Sequence, residues 1–139
     1  MSMTAAEFEA RDRLAGRLGI RLTRFEPGHA VTEMDIRPEH HHNGMGMLHG
    51  GVIFTLADVA FAAAANAAEY NAVGVSCQIS YLRAARAGRV VATARVRGES
   101  RRLGHYEVEV RDEQGELLAV FQGAAYRTSA GRADQAPRS

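Results

Sequence analysis

The chain has 139 residues, of which 46% are hydrophobic, and this suits a single globular domain. A formal net charge of +1 argues against a general nucleic-acid-binding protein, and no uninterrupted apolar run reaches the ~18 residues of a membrane span. The polar first residues lack the apolar core of a secretory signal and the single Cys77 cannot form an internal disulfide, so we expect a cytoplasmic protein without nucleic-acid or membrane partners.

The first part of the chain predicts a short helix followed by two strands. Residues 4–18 mix alanine, leucine and charged residues as an amphipathic helix does, and Gly19 would end it. Strands are predicted over residues 21–25 and 30–36, separated by a turn at Pro27-Gly28. Apolar and polar residues alternate in the second strand, so one of its faces should be wetter than the other. A loop rich in histidine and glycine follows.

The segment over residues 49–69 predicts a helix that is apolar around most of its circumference and is therefore buried. Its one charged residue before Ala68 is Asp58, and a carboxylate in such a place needs partners or takes part in chemistry. An amide, an imidazole and two glycines come just before or at its start, in Asn43, His49, Gly50 and Gly51. This clustering is the main reason to interpret the protein as an enzyme.

The remainder of the chain is rich in predicted strands, over residues 73–82, 89–96, 105–111 and 117–126. A turn at residues 112–115 makes a hairpin of the last two. We therefore expect an α+β domain over residues 1–127, with a mostly antiparallel sheet around one long central helix. Residues 128–139 have almost no large apolar side chains and predict a disordered tail.

The spacing of two residues limits how they can act together. Asp58 follows Gly50 by eight residues, which is about 12 Å along a helix. One carbonyl carbon cannot lie within ~3.5 Å of both groups of one chain. If the two groups cooperate, each comes from a different subunit, and two antiparallel helices about a two-fold axis would form the site twice per dimer.

The residues Asn43, His49-Gly50-Gly51 and Leu56-Ala57-Asp58, at this spacing, resemble the hotdog-fold acyl-CoA thioesterases, most closely the phenylacetic-acid-degradation type. The resemblance runs from about Leu14 to Arg127. It implies a hotdog fold with a short N-terminal helix, and hydrolysis of an acyl-CoA to free acid and CoA. The acyl group would be aromatic, such as phenylacetyl or a hydroxylated relative. No metal or other cofactor is implied, and the protein would be a homodimer or a homotetramer built as a dimer of dimers, with the site between subunits.

The resemblance also implies catalytic roles for matching residues. Asp58 would be a general base on water or a nucleophile on the thioester, and Gly50 would donate its backbone N–H to the thioester carbonyl. Asn43 would lie near the sulfur or the lytic water, and His49 would orient the loop and the substrate. Ser76 matches a position where some relatives have a hydroxyl beside the acid.

Other residues are expected to bind the substrate. Gly51, like Gly50, has no side chain to block an approaching carbonyl at the positively polarised helix start. The phosphates of CoA need cations, and Arg83, Arg101 and Arg102 lie at the ends of predicted strands. The segment from Arg101 to His105, which includes Gly104, resembles the turn that meets the nucleotide in this family.

Several alternative interpretations stay open. Asp58 could be a structural acid in a hydrogen-bond network, Gly50-Gly51 a tight turn, and His49 a helix cap. Ser76 could be structural, the Arg101-Arg102 pair a solvated turn, and Cys77 is expected to be a buried small hydrophobe.

Two features depart from the family pattern, the run His40-His41-His42 and Ala84-Ala85. The histidines suggest a metal, but adjacent residues of an extended loop point in different directions and no cysteine or well-spaced carboxylate completes a site, so no metal is expected. Two other functions are compatible with a hotdog fold: a dehydratase, and a non-catalytic domain that binds acyl-CoA.

Overall fold

Four helices and six strands are present in the computed structural model, which describes residues 3–68 and 71–128. The helices are α1 (Ala5–Arg11), α2 (Arg13–Leu18), α3 (Pro38–His41) and α4 (Gly50–Asn66). The strands are β1 (Arg21–Glu26), β2 (His29–Asp35), β3 (Ala72–Tyr81), β4 (Arg89–Glu99), β5 (Leu103–Asp112) and β6 (Leu117–Arg127).

The strands form one antiparallel sheet in the order β1-β2-β4-β5-β6-β3, and α4 packs against one face of it. The alternation predicted for β2 is confirmed, because Ala30, Thr32 and Met34 are fully buried while the residues between them are partly exposed. The α+β architecture predicted from the sequence, a sheet wrapped around one long helix, is therefore confirmed.

The core fills the space between α4 and the sheet. Phe61 of α4 packs against Tyr106 and Phe121, with ring centroids 5.4 and 5.6 Å apart. Glycines make room for this ring on the neighbouring strands, because a Cβ at Gly123 would lie 2.9 Å from Phe61 Cζ and one at Gly74 would lie 3.1 Å from Phe61 Cε2. The central helix thus packs close to the sheet through Phe61, because the glycines at positions 74 and 123 have no side chains to displace its ring.

The N-terminal segment is two short helices rather than the one helix predicted over residues 4–18. Asp12 has extended backbone angles (φ −87°, ψ 92°), and its side chain accepts the Ala15 N–H at 3.0 Å as the cap of α2. An aspartate that caps the following turn competes with continuation of the preceding helix. The predicted end at Gly19 is confirmed, since Gly19 has a left-handed φ of 76°.

Two other boundaries differ from the sequence prediction. The loop predicted before α4 contains α3, which begins at Pro38, a residue suited to a first helical turn. The central helix ends at Asn66 rather than at residue 69, which lies outside the described residues. The Asn66 amide donates to the Ala62 and Ala72 carbonyls and accepts the Ala72 N–H, so it joins the end of α4 to the start of β3.

The strand β3 forms one edge of the sheet and pairs with β6 along its other side. Val73, Val75 and most of the residues between Gly74 and Tyr81 are exposed, and the pairing register shifts between Gly74 and Ser76. Residues 129–139 of the predicted tail lie outside the described residues, whereas the Thr128 N–H donates to the Asn71 carbonyl at 2.9 Å. In the described residues, no helix is both long enough and apolar enough to cross a membrane.

Candidate active site

The first turn of α4 leaves one backbone N–H without a partner. The His49 carbonyl accepts the N–H groups of Val52 and Ile53 at 2.9 and 3.1 Å, and its ring Nδ1 accepts the Gly51 N–H at 2.8 Å. Across residues 3–68 and 71–128, no hydrogen bond is made by the Gly50 N–H. His49 therefore caps the helix, as one interpretation of the sequence allowed, and leaves the Gly50 N–H as the donor available to a ligand.

Tyr81 closes the space beside Gly50 and was not among the predicted site residues. Its hydroxyl donates to the Gly50 carbonyl at 2.9 Å, and a Cβ at position 50 would lie 3.2 Å from Tyr81 Cζ. Glycine is thus the residue that fits here without displacing the ring. The sequence places Tyr81 at the end of a predicted strand, but only the packing of β3 on α4 shows that this end meets the helix start.

Asn43 organises the loop that leads into α4. Its side-chain Oδ1 accepts the N–H groups of Met45 and Met47 at 2.9 and 3.2 Å, and its backbone N–H donates to the Met47 carbonyl at 2.7 Å. Two backbone donors on Oδ1 fix the orientation of the amide, so the NH₂ group is the part of Asn43 left for a ligand.

A cavity of about 320 Å³ joins these groups and is lined by Asn43, Gly50, Tyr81 and Arg83 together with apolar residues of the loop and of α4. Arg83 also forms an exposed ion pair with Glu116 at 2.9 Å. The structure therefore brings together three of the predicted site residues, which offer a backbone N–H, an amide and a guanidinium to one cavity.

Asp58 is half-buried on the side of α4 that the core leaves uncovered. This open stripe consists of Gly51, Thr55, Asp58 and Ala62, spaced at three and four residues on one helix face. Burial raises the pKa of the Asp58 carboxyl, and the negative charge of Asp12 raises it further. Within the described ranges the Asp58 carboxylate has no hydrogen-bond or ion-pair partner, so this chain offers no network for a purely structural acid.

Cys77, rather than Ser76, is the β3 residue that lies towards Asp58. The Cys77 thiol has a pKa raised by burial and by the charge of Asp58, and its Sγ lies near Gly74 on the face of the sheet that carries α4. Ser76 pairs with Ala124 while Cys77 pairs with Gly123, so Ser76 belongs to the opposite face. The expectation that Cys77 is buried is wrong, since the residue is exposed at the sheet edge and only its thiol is partly shielded from solvent. A catalytic role for Ser76 stays a prediction without geometric support in this chain.

The remaining predicted substrate-binding residues lie at the other end of α4. Arg101 lines a cavity of about 310 Å³ beside the last turn of that helix, and Arg102 donates to the Arg127 carbonyl at 3.3 Å. Gly104 is buried, and a Cβ there would lie 2.8 Å from Tyr106 Cε1. Because α4 is about 24 Å long, one chain does not bring these residues to the cavity at Gly50. Their contact with CoA stays a prediction.

The histidine run divides into three environments. His40 is exposed, His41 is fully buried, and His42 Nε2 lies 2.8 Å from the Arg86 carbonyl. Among the described residues, no three His, Cys, Asp or Glu side chains are grouped closely enough to hold a metal ion.

Comparison with known proteins identifies the family. Residues 45–119 match the family model described as the thioesterase superfamily. The chain is 38% identical over 117 residues to the acyl-coenzyme A thioesterase PaaI of Escherichia coli (strain K12), covering 84% of this chain and 83% of that protein. It is 31% identical over 106 residues to the 1,4-dihydroxy-2-naphthoyl-CoA hydrolase of Listeria monocytogenes serotype 1/2a (strain 10403S), covering 74% and 85%.

The structural comparison agrees with the sequence comparison. The solved structure of the E. coli PaaI protein from the phenylacetic acid degradation operon superimposes with a TM-score of 0.87 at 36% identity, covering 92% of each chain. Both the predicted hotdog fold and the predicted class of enzyme, a thioester hydrolase, are therefore confirmed. The chain belongs to the thioesterase superfamily.

Proposed function

We propose that this protein hydrolyses an aromatic acyl-CoA, such as phenylacetyl-CoA or a hydroxylated relative, to the free acid and CoA. The observation that carries the proposal is the pair of unsatisfied groups on α4, the half-buried Asp58 carboxylate and the Gly50 N–H. Relatives named as an acyl-CoA thioesterase and as a hydrolase of an aromatic acyl-CoA support this substrate class.

The proposed site is shared between two copies of the chain. Asp58 and Gly50 of one chain are about 12 Å apart along α4, too far to act on one carbonyl. The exposed edge strand β3 offers unpaired backbone groups to a second copy. The open stripe of α4 lies beside this strand, since the charge of Asp58 in the stripe acts on Cys77 in β3. A two-fold axis here would place Asp58 opposite Gly50 of the partner subunit, twice per homodimer. Pairing of such dimers into a homotetramer is part of the proposal.

The proposed reaction begins with attack on the thioester carbonyl carbon. With water as the nucleophile, the Asp58 carboxylate takes its proton as the new C–O bond forms, and the oxyanion accepts the Gly50 N–H of the partner subunit. The tetrahedral intermediate then breaks the C–S bond, and the proton held by Asp58 passes to the sulfur of CoA. The free NH₂ of Asn43 serves the sulfur or the lytic water, and no step calls for a cofactor.

Direct attack by Asp58 is the other form of this reaction. The carboxylate would form an anhydride as CoA leaves, and water would then hydrolyse it. A single turnover in heavy-oxygen water reveals direct attack when water opens the anhydride at the aspartyl carbonyl. Water attack labels the acid in the first turnover, whereas attack by Asp58, followed by water attack on the aspartyl carbonyl, labels the enzyme first.

The test is CoA release from a panel of phenylacetyl, hydroxyphenylacetyl, benzoyl, short-chain and long-chain thioesters. We expect turnover of the aromatic members, and a loss of about 10²-fold or more in Asp58→Asn because the base or nucleophile is removed. Asp35→Asn is the matched control, since Asp35 is exposed at the end of β2 and its ion pairs with Arg21 and Arg89 lie outside the site. If the wild type turns over no member of the panel, the proposed hydrolysis of acyl-CoA is rejected and a non-catalytic acyl-CoA-binding domain is favoured.

A further inference from the structure

His41 is the one member of the histidine run that is fully buried, and both of its ring nitrogens are hydrogen-bonded. Nδ1 accepts the backbone N–H of Arg37 at 2.8 Å, and Nε2 lies 2.8 Å from the carbonyl of Leu18 at the end of α2. Because Nδ1 accepts, the ring proton is on Nε2, which donates to Leu18. The neutral ring therefore joins two segments that are distant in sequence.

The backbone of His41 continues this connection to the helix start. Its carbonyl accepts the N–H of His49 at 2.8 Å, and His49 is the residue that caps α4 next to Gly50. The neighbouring His42 forms a β-bridge with Leu48. A chain of hydrogen bonds thus runs from α2, through the His41 ring and its carbonyl, to the residue before the free N–H.

We propose that His41 is a positioning residue that fixes the Gly50 N–H through His49. The inference rests on the proposed function, because the position of that N–H matters for turnover only if it receives the oxyanion. Small displacements at such a donor are costly, and a 1 Å misplacement costs on the order of 10²-fold in rate. A buried ring held at both nitrogens has one orientation, which suits a fixed support.

The surroundings of the ring keep it neutral. Burial lowers the pKa of His41, the charges of Arg37 and His40 act in the same direction, and the Leu18 carbonyl and Glu39 oppose them. A second proton would remove the acceptor for the Arg37 N–H and place a charge in the core. The support is therefore in place at neutral pH.

The test compares His41→Phe, which keeps a ring and removes both hydrogen bonds, with His41→Gln, whose amide can still donate to Leu18. His40→Phe is the matched control, since its ring is exposed next to the same segment. We expect kcat for the best panel thioester to fall about 10- to 100-fold in His41→Phe while KM changes little, with partial recovery in His41→Gln and no change in His40→Phe. If His41→Phe does not fold, His41→Gln should still lose several-fold in kcat.

A second readout works without turnover. Amide hydrogen exchange at His49 and Gly51 should accelerate at least tenfold in the His41 variants and stay at the wild-type rate in His40→Phe, because the His41 carbonyl loses its fixed position. Wild-type kcat together with wild-type exchange in both His41 variants would overturn the inference. If the wild type hydrolyses no thioester, the proposed function fails, and the exchange rates alone decide whether His41 positions the helix start.

Discussion

Replacing Gly50 by proline would remove the proposed oxyanion donor at a position whose backbone conformation accepts proline. Gly50 is the first residue of α4, where proline is well tolerated. The preceding His49 has φ −63° and ψ 134°, the extended conformation that a residue before proline adopts. Across the described residues the Gly50 N–H makes no hydrogen bond, so the substitution removes no hydrogen bond from the fold.

The expected loss can be separated from the steric effect of a new side chain. A Cβ at position 50 would lie 3.2 Å from Tyr81 Cζ and 3.3 Å from its hydroxyl, so that exposed ring must give by a few tenths of an ångström. Gly50→Ala adds the same Cβ and keeps the N–H. The ratio of kcat between the two variants therefore reports the loss of the donor together with the proline ring carbons that take the place of its hydrogen. Loss of one such donor costs about 2.7–4 kcal/mol, or 10²- to 10³-fold.

The assay is steady-state CoA release at saturating substrate, with circular dichroism to verify that both variants are folded. We expect Gly50→Ala to lose less than about tenfold in kcat and Gly50→Pro a further 10²- to 10³-fold. Equal kcat in the two folded variants would refute the assignment of the Gly50 N–H as the oxyanion donor.

Three further changes test the site and the core. Asp58→Asn should raise Tm at neutral pH, because burial raises the pKa of Asp58 and its ionised form opposes folding. The gain should shrink as the pH falls through the raised pKa of the folded state and vanish below the ordinary aspartate pKa of the unfolded state. Tyr81→Phe should lower kcat several-fold and the free energy of unfolding by about 1 kcal/mol, because it removes the hydroxyl's hydrogen bond to the helix start. Gly123→Ala should cost about 1–3 kcal/mol in denaturant unfolding, because its Cβ would lie 2.9 Å from Phe61 Cζ.

Controls for these changes come from the same chain. Gly16→Ala has nothing within 4 Å of its Cβ and lies within α2, so it should stabilise by about 0.5–1 kcal/mol where Gly123→Ala destabilises. A Tm gain in Asp58→Asn that persists at acid pH would contradict the pKa argument. Wild-type kcat in Tyr81→Phe would show that the hydroxyl does not help to hold Gly50.

The sequence predicts most of the fold because its signals are local. Alternation in β2, the long apolar run of α4 and the hairpin turn at residues 112–115 each specify an element without reference to the rest of the chain. The sequence does not predict the break at Asp12, because the same side chain suits a helix surface or a helix cap, and the choice depends on where α2 packs.

The site was predictable in its residue types and less so in its arrangement. Asn43, His49 and Gly50 lie in one short segment, residues 43–50, so a single loop is expected to bring them together. Tyr81 reaches Gly50 from a strand 31 residues away, which no local pattern specifies. The shift in pairing between Gly74 and Ser76 decides which β3 side chain lies towards Asp58, and a one-residue slip of this kind inverts the faces of a strand.

The central claim, a site shared between subunits, is tested most directly by complementation between two inactive variants. Asp58→Asn and Gly50→Pro would be expressed together with different tags, and the mixed dimer isolated through both tags. In a mixed dimer one site has both substitutions and the other has an intact Asp58 opposite an intact Gly50 of the partner subunit.

Thioester turnover of the mixed dimer is the measurement. If Asp58 and Gly50 act across the interface, the mixed dimer should recover about half of the wild-type kcat per dimer, and an unfractionated random mixture about a quarter. If the two groups act within one chain, every subunit has a defect, and the mixed dimer should be as inactive as its parents. Recovery of turnover supports the shared site, and its absence in a folded mixed dimer contradicts it.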